Sequence, residues 1–159
     1  MNIEDTIRRE QFCQIKEEIR GSDDYLVVGI DVAKDKHHAF MGTATGKSLL
    51  RKLIFENNLD GFCKLLDCCK AIKKQNALSE VVFGLEPTGN YHKPLGAHLI
   101  RCGYHVVLVT GKAVKDNREL LDGRWDKNDT KDAANVADLV SRGKCLYYDY
   151  PSSRINELR

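Results

Sequence analysis

The sequence has few of the features that mark membrane, disordered or strongly charged proteins. No apolar run approaches the length of a bilayer span, and residues 1–20 are too charged for a signal peptide. Internal repeats and low-complexity segments are absent. The net charge of +2 is too small to indicate a nucleic-acid partner by itself. We therefore predict a cytoplasmic protein without membrane association, and local chemistry must decide any case for DNA or RNA.

The six cysteines do not follow a metal-binding pattern. Cys63, Cys68 and Cys69 cluster in the chain, but their spacing is not C-x-x-C and no histidine follows at zinc-finger spacing. Cysteines of a cytosolic protein stay reduced. A helix is predicted over residues 58–75, with Asn57 or Asn58 as its N-cap. Because Cys63 and Cys69 fall on the apolar stripe of this helix, we predict that the three clustered cysteines belong to the core.

The composition is that of a soluble, folded domain, since 42% of the 159 residues are hydrophobic and 30% are charged. Residues 1–22 space their apolar side chains loosely at helical intervals and predict an N-terminal helix. Three strands follow within residues 25–55 as an antiparallel meander, and two further strands then alternate with helices. Crossover connections make those two strands parallel to the first. The prediction is an α/β domain over residues 23–150, with a mixed five-stranded sheet flanked by helices.

Residues 25–34 are the stretch around which a site is predicted. The continuous apolar run of a strand buried on both faces ends there at Asp31. A carboxylate in that position is costly unless it binds a partner. Glu86 repeats the pattern at the end of the apolar run 81–85. Because sites form at the carboxyl ends of parallel strands, the two acids converge if their strands are neighbours.

Two more acids, Asp129 and Asp132, occur at the start of a predicted helix over residues 130–142. Their spacing places both on the same stripe as Val136 and Val140, so both carboxylates are predicted to face the sheet. Without an obvious cationic partner they would repel each other. Divalent ions such as Mg²⁺ prefer carboxylate oxygens and remove this repulsion. Two such ions can support phosphodiester chemistry.

Each acid also has a plain structural interpretation. Asp129 is a suitable N-cap, and Asp132 is a first-turn acid that the helix dipole favours. Asp31 and Glu86 are ordinary as isolated turn acids. The metal-binding interpretation is favoured because all three acidic segments occur together, at the ends of two strands and the start of a helix in the same predicted fold.

Three motifs carry a resemblance to a known family. They are residues 29–34 (Gly-Ile-Asp-Val-Ala-Lys), 84–91 (Gly-Leu-Glu-Pro-Thr-Gly-Asn-Tyr) and 127–133 (Lys-Asn-Asp-Thr-Lys-Asp-Ala). In this order and spacing they resemble the DEDD-type insertion-sequence transposases, which are bridge-RNA-guided recombinases and include pilin-gene invertases. The resemblance extends from about residue 25 to the end of the chain. It implies a RuvC-like, RNase H-like fold, which agrees with the predicted element order.

The resemblance also implies a chemistry and a set of partners. The catalytic and metal-binding residues would be Asp31, Glu86, Asp129 and Asp132, with Mg²⁺ or Mn²⁺, as two ions, serving DNA strand cleavage and transfer. Implied partners are DNA, a guide RNA and further copies of the full-length protein, as a dimer or tetramer in a bacterial or archaeal cytoplasm. Family members continue into a helical segment and a serine-bearing C-terminal domain. Residues 151–159 are thus predicted to begin a truncated helical linker, and this chain alone is not expected to recombine DNA.

Side chains on the loops around the acids are predicted to contact nucleic acid. These basic or hydrogen-bonding candidates are Lys34, Thr88, Tyr91, Lys112, Arg124, Lys127 and Lys131. Acids interleaved among the basic residues leave a plain solvated face as the alternative. Packing into the core is the alternative for Tyr91, and we prefer it. His37 and His38 alternate on a predicted strand and are assigned no role.

The sequence also offers three rival interpretations. Residues 42–48 resemble a P-loop but have three residues between the glycines instead of four, and a strand follows, so a hairpin turn is predicted. An actin-like ATPase or kinase also ends its first strand in Asp, but it needs a Gly-Thr phosphate turn where this chain has residues 32–34. A non-catalytic nucleic-acid-binding module with an RNase H-like fold is the remaining alternative, and four converging acids argue against it.

Overall fold

The computed structural model describes residues 3–121 and 131–149, without the side chains of residues 119–121 and 131. The predicted linker of residues 151–159 lies outside the described residues. Within the described part, the elements in chain order are α1 (Ile3–Glu18), β1 (Tyr25–Asp31), β2 (Lys36–Thr43), β3 (Ser48–Glu56), α2 (Leu59–Gln75), β4 (Glu80–Glu86), α3 (Lys93–Arg101), β5 (His105–Leu108), α4 (Gly111–Leu121), α5 (Lys131–Ser141) and β6 (Leu146–Tyr147).

The strands form one mixed sheet in the order β3-β2-β1-β4-β5-β6. β1, β4 and β5 pair in parallel, whereas the β3-β2-β1 meander and the β5-β6 pair are antiparallel. These features confirm the predicted α/β fold and its N-terminal helix. The predicted number of five strands is wrong, because Leu146 and Tyr147 add a sixth strand beside β5. Two residues are too few to show a strand periodicity in the sequence.

Helices cover both faces of the sheet. α2 and α3 pack on one face, where Leu65 and Leu99 are fully buried. α1, α4 and α5 pack on the other, where Ile19 and Val136 belong to a second apolar cluster. β1 runs through the middle, and its residues Tyr25–Ile30 are all buried, as expected for a strand covered on both sides. The helices among the described residues are too short or too polar to cross a bilayer.

The cysteine prediction holds for only part of α2. Asn58 caps this helix by accepting a first-turn backbone N–H, as predicted. Cys69 is buried, Cys68 is half-buried and Cys63 is exposed, so placing all three in the core was wrong. Leu59 is also 62% exposed. The buried stripe of α2 is narrower than the apolar pattern, because only the side of the helix that contacts the sheet is covered.

Residues 44–47 form the turn of the β2-β3 hairpin, within the stretch predicted to be a hairpin turn. The Thr43 backbone N–H donates to the Lys47 carbonyl oxygen at 2.9 Å. Gly46 has a φ of +97°, which side-chain-bearing residues rarely adopt. No helix follows this turn, so it does not present the helix N-terminus that a P-loop uses.

Candidate functional site

Asp31 and Glu86 are neighbours at the carboxyl ends of two paired strands. β1 and β4 pair in parallel with Asp31 directly opposite Glu86. Adjacent strands lie about 4.8 Å apart, and in-register residues point to the same face. The structure therefore brings together the two acids that the sequence predicts at strand ends. Both residues are half-buried, while the preceding residues 25–30 and 81–85 of their strands are buried.

A pair of glycines lets α5 approach these strands closely. Gly29 and Gly84 are also in register, two residues before the two acids. A Cβ on Gly29 would overlap the backbone of Ala133 and Ala137, and one on Gly84 would lie 2.5 Å from Val140 Cγ2. Only residues without a side chain fit here, so α5 rests on the backbone of β1 and β4. Sequence reasoning missed this role, although glycine inside a buried strand is itself a signal of close backbone approach.

α5 brings Asp132 to the same end of the sheet. The charge of Asp132 acts on both Asp31 and Glu86. We expected no cationic partner for this acid, and that expectation was wrong. Arg118 of α4 donates from Nη2 to Asp132 Oδ1 in an ion pair. This partner is 14 residues away along the chain, so helical spacing within α5 could not reveal it.

A polar network fixes α4 against α5 and so holds this ion pair in place. Asn117 Nδ2 donates to Asn135 Oδ1 and to Asp138 Oδ2, each at 3.1 Å. Asn117 and Asn135 are almost fully buried. Arg142 Nη2 completes the network by donating to Asp138 Oδ2 at 2.7 Å. Because buried amides need hydrogen-bond partners, this network defines the relative position of the two helices.

Burial and neighbouring negative charges raise the pKa values of Asp31 and Glu86. Burial raises the pKa of Asp31 and the charge of Asp132 raises it further, while His38 and Arg118 partly oppose both effects. Burial likewise raises the pKa of Glu86, followed by the charges of Asp31 and Asp132. Like charges that lie close together each favour the neutral form of the other. The site therefore accumulates unfavourable negative charge, which a bound cation would relieve.

A family model described as a transposase, of the DEDD type named after the insertion sequence IS110, matches residues 28–159. The chain belongs to this DEDD transposase family. The transposase chain is also similar in structure to T. thermophilus RuvC in complex with a Holliday junction substrate. The TM-score is 0.51 at 12% sequence identity, over 78% of this chain and 99% of the RuvC chain. This similarity confirms the RuvC-like fold. No protein of curated function matches the transposase chain in sequence.

Asp129, the remaining acid of the predicted tetrad, lies outside the described residues. So do the predicted nucleic-acid contacts Arg124 and Lys127, and the side chain of Lys131. Within the described part of the chain, no group of three acidic, histidine or cysteine side chains is close enough to hold a metal ion. Carboxylate oxygens are nevertheless the donors that Mg²⁺ and Mn²⁺ prefer. The donor chemistry of the paired acids therefore suits such an ion.

The other predicted nucleic-acid contacts lie on the loops after β1 and β4 and, for Lys112, at the start of α4. Lys34, Thr88 and Lys112 are exposed. Tyr91 is 40% exposed, so the preferred prediction that it packs in the core was wrong. The reason is that α3 begins only at Lys93, which leaves Tyr91 in the preceding turn and off the apolar stripe of the helix.

The two histidines that received no role lie next to the acidic end of the sheet. His38 is the register partner of Asp31 on β2. His37 is fully buried, and its Nδ1 accepts a hydrogen bond from the Ala33 backbone N–H at 3.1 Å. Their place near the acids could have been inferred from the sequence, because they come immediately after the loop that follows Asp31.

Proposed function

We propose that Asp31, Glu86, Asp129 and Asp132 of this transposase bind two divalent metal ions and that the site cleaves and transfers DNA strands. The family makes the chain a DNA-processing enzyme of the nuclease and transposase kind. The observation that carries the finer proposal is the register pair Asp31 and Glu86, whose pKa values are both raised. Unneutralised carboxylates at one strand end are the arrangement that a metal ion stabilises.

The proposed roles of the acids differ with the elements that hold them. Asp31 and Glu86 are held by strand pairing and would form the rigid side of the metal site. Asp132 now pairs with Arg118, so it would exchange this partner for the metal. When bound, two such ions activate a nucleophile and stabilise the leaving oxygen of a phosphodiester. Arg118 is then free to contact a phosphate.

The proposed substrate is DNA, and the similarity to a RuvC chain in complex with a Holliday junction substrate supports it. Lys34, Thr88, Tyr91 and Lys112 would contact the strand, together with Arg124, Lys127 and Lys131. A guide RNA and further copies of the protein are proposed partners on the family resemblance alone. On the same basis, strand joining would require a serine-bearing domain in addition to this chain.

Metal binding is tested by titrating Mn²⁺ into the wild type and into Glu86→Gln, with calorimetric detection. The wild type should bind Mn²⁺. Glu86→Gln should lose at least about 10- to 100-fold in affinity, because that is the loss when only an outer-shell partner of a metal ligand is removed, and here a direct ligand is removed. Glu80→Gln is the matched control, since Glu80 lies at the opposite end of the same strand. Equal Mn²⁺ affinities in all three proteins would contradict the metal-site proposal.

DNA binding is tested separately with a fluorescent four-way junction in the presence of Mn²⁺ or EDTA. We expect the junction to bind more tightly with Mn²⁺, because the ions neutralise the acids that repel phosphates. Junction binding that is identical in EDTA would instead favour a non-catalytic nucleic-acid-binding module.

A further inference from the structure

Asn57 lies where three segments of the chain meet at the acidic end of the sheet. It follows β3 directly, and its backbone N–H donates to the Asp35 carbonyl oxygen at 2.9 Å. Its side-chain Nδ2 donates to two further carbonyl oxygens, of Lys34 at 3.1 Å and of Tyr91 at 3.2 Å. One residue therefore bonds both the loop after Asp31 and the loop after Glu86.

Within the described residues, no hydrogen bond joins these two loops directly. The loop after β1 contains Lys34, and the loop after β4 contains Thr88 and Tyr91. Within the described residues, the backbone and side-chain hydrogen bonds that join them both start from Asn57. The Asn57 amide therefore determines how far apart the two loops lie.

His37 supports Asn57 from the interior. Its Nδ1 accepts from the Ala33 N–H, so the neutral ring carries its proton on Nε2. Burial lowers the pKa of His37, which keeps the ring neutral, and the Asn57 side chain partly offsets this shift. His37 Nε2 and Asn57 Oδ1 are both buried without a well-formed hydrogen bond. A donor and an acceptor thus face each other, with the Asn57 Oδ1 toward His37 and Nδ2 toward the loops.

We propose that Asn57 is a positioning residue that clamps the loop after Asp31 to the loop after Glu86 and thereby sets the spacing of the nucleic-acid contacts Lys34, Thr88 and Tyr91. The proposal rests on the proposed function for its DNA part, whereas the clamp itself is a property of the free protein. Asn57 acts on the loops and not on the acids, because strand pairing already holds Asp31 opposite Glu86. Loss of the clamp should therefore weaken DNA binding and leave Mn²⁺ affinity unchanged.

The test compares two substitutions at Asn57 with a control at the next residue, all in the full chain. Asn57→Asp keeps an oxygen toward His37 and removes both Nδ2 donors, and Asn57→Ala removes the donors without adding charge. Asn58→Asp adds the same charge one residue away and preserves the helix cap, because Asp and Asn cap equally well. The readouts are amide hydrogen exchange at Ala33 and Tyr91, Kd for a four-way DNA junction, and Kd for Mn²⁺.

We expect faster exchange at Ala33 and Tyr91 in both Asn57 variants but not in Asn58→Asp. Junction affinity should fall roughly tenfold in both Asn57 variants. This is about the effect of losing one hydrogen bond between a loop and a charged DNA phosphate. Unchanged exchange in the Asn57 variants, or an equal loss of junction affinity in Asn58→Asp, would overturn the clamp. A wild type that binds neither Mn²⁺ nor the junction would contradict the proposed function, and the exchange rates would still decide the clamp.

Discussion

Asp31 and Glu86 show how a single register determines the chemistry of a site. Two carboxylates directly opposite each other on paired strands are unfavourable in any fold that does not use them. Asp132 adds a third negative charge, and Arg118 compensates only part of it. Asp31 and Glu86 therefore weaken the metal-free protein, since the pKa of each is higher in the folded state than in a free side chain.

Asp31→Asn should therefore stabilise the metal-free protein. A raised folded-state pKa means that the ionised acid costs stability at neutral pH. The gain should stay below about 1 kcal/mol, since solvent screens these half-exposed groups, and should correspond to an increase in Tm of up to about 4 °C. The measurement is thermal unfolding at pH 7.5 in EDTA.

Adding Mn²⁺ should reverse the order, raising the Tm of the wild type and not that of Asp31→Asn. Asp24→Asn serves as the control, because Asp24 precedes β1 at its opposite end. A lower Tm for Asp31→Asn in EDTA would show that Asp31 does not carry a repulsive charge.

α5 can lie close to the sheet because β1 and β4 have no side chains at the point of contact. Gly29 and Gly84 leave the backbone of β1 and β4 open, and Ala133 and Ala137 are small enough to rest on it. The helix then brings Asp132 to the acids, and the Asn117 network holds Arg118 beside it. At the scale of elements, the site depends on a close helix-to-sheet contact as much as on the acids themselves.

Substitution of either glycine by alanine should destabilise the protein, but a second substitution in α5 should restore the stability of only one of the two variants. Gly84→Ala meets mainly the side chain of Val140, so it should cost about 1–3 kcal/mol and recover in Gly84→Ala/Val140→Ala. Gly29→Ala meets the backbone of α5 and should cost at least as much, with no rescue by Val140→Ala. Urea unfolding of the variants measures these differences. Full rescue of Gly29→Ala by Val140→Ala would show that α5 does not rest on β1.

Three histidines in separate regions of the described residues are buried or half-buried. His37 lies in β2, His92 precedes α3 and His105 begins β5. Burial is the main cause that lowers the pKa of each one, and the Asn57 side chain and the charge of Glu80 partly oppose it at His37 and His105. All three therefore favour the neutral ring in the folded protein, whatever happens at the acidic site.

These histidines should make the fold sensitive to mild acid. Their folded-state pKa values lie below the unfolded value of about 6.5, so stability is present above that pH and is lost as pH falls through it. Asp31 and Glu86 have raised pKa values, so their protonation stabilises the fold as the pH falls and would mask the effect of the histidines. The measurement therefore uses the double variant Asp31→Asn/Glu86→Gln, which lacks both carboxylates. We expect its Tm to fall by several degrees between pH 7.5 and pH 5.5. His92→Gln should reduce this fall, and His98→Gln on the same helix is the control. A Tm that is constant over this range would contradict the prediction.

The sequence by itself determined the elements other than α4 and β6, the family and the location of the described acids. Local periodicity and turn residues are sufficient for this, because the apolar run that ends at Asp31 and the Asn58 cap are formed by neighbouring residues. The comparison with known proteins confirmed the transposase family and the RuvC-like fold. Roles for Asp129 and the loop residues remain predictions.

Only the tertiary structure decided which side chains meet. The partner of Asp132 is Arg118, the support of α5 is Gly29 and Gly84, and the bond between the two loops comes from Asn57. These contacts join residues far apart in the chain, and no local pattern encodes such pairs. The exposure of Cys63 was also beyond the sequence, because it depends on how much of α2 the sheet covers.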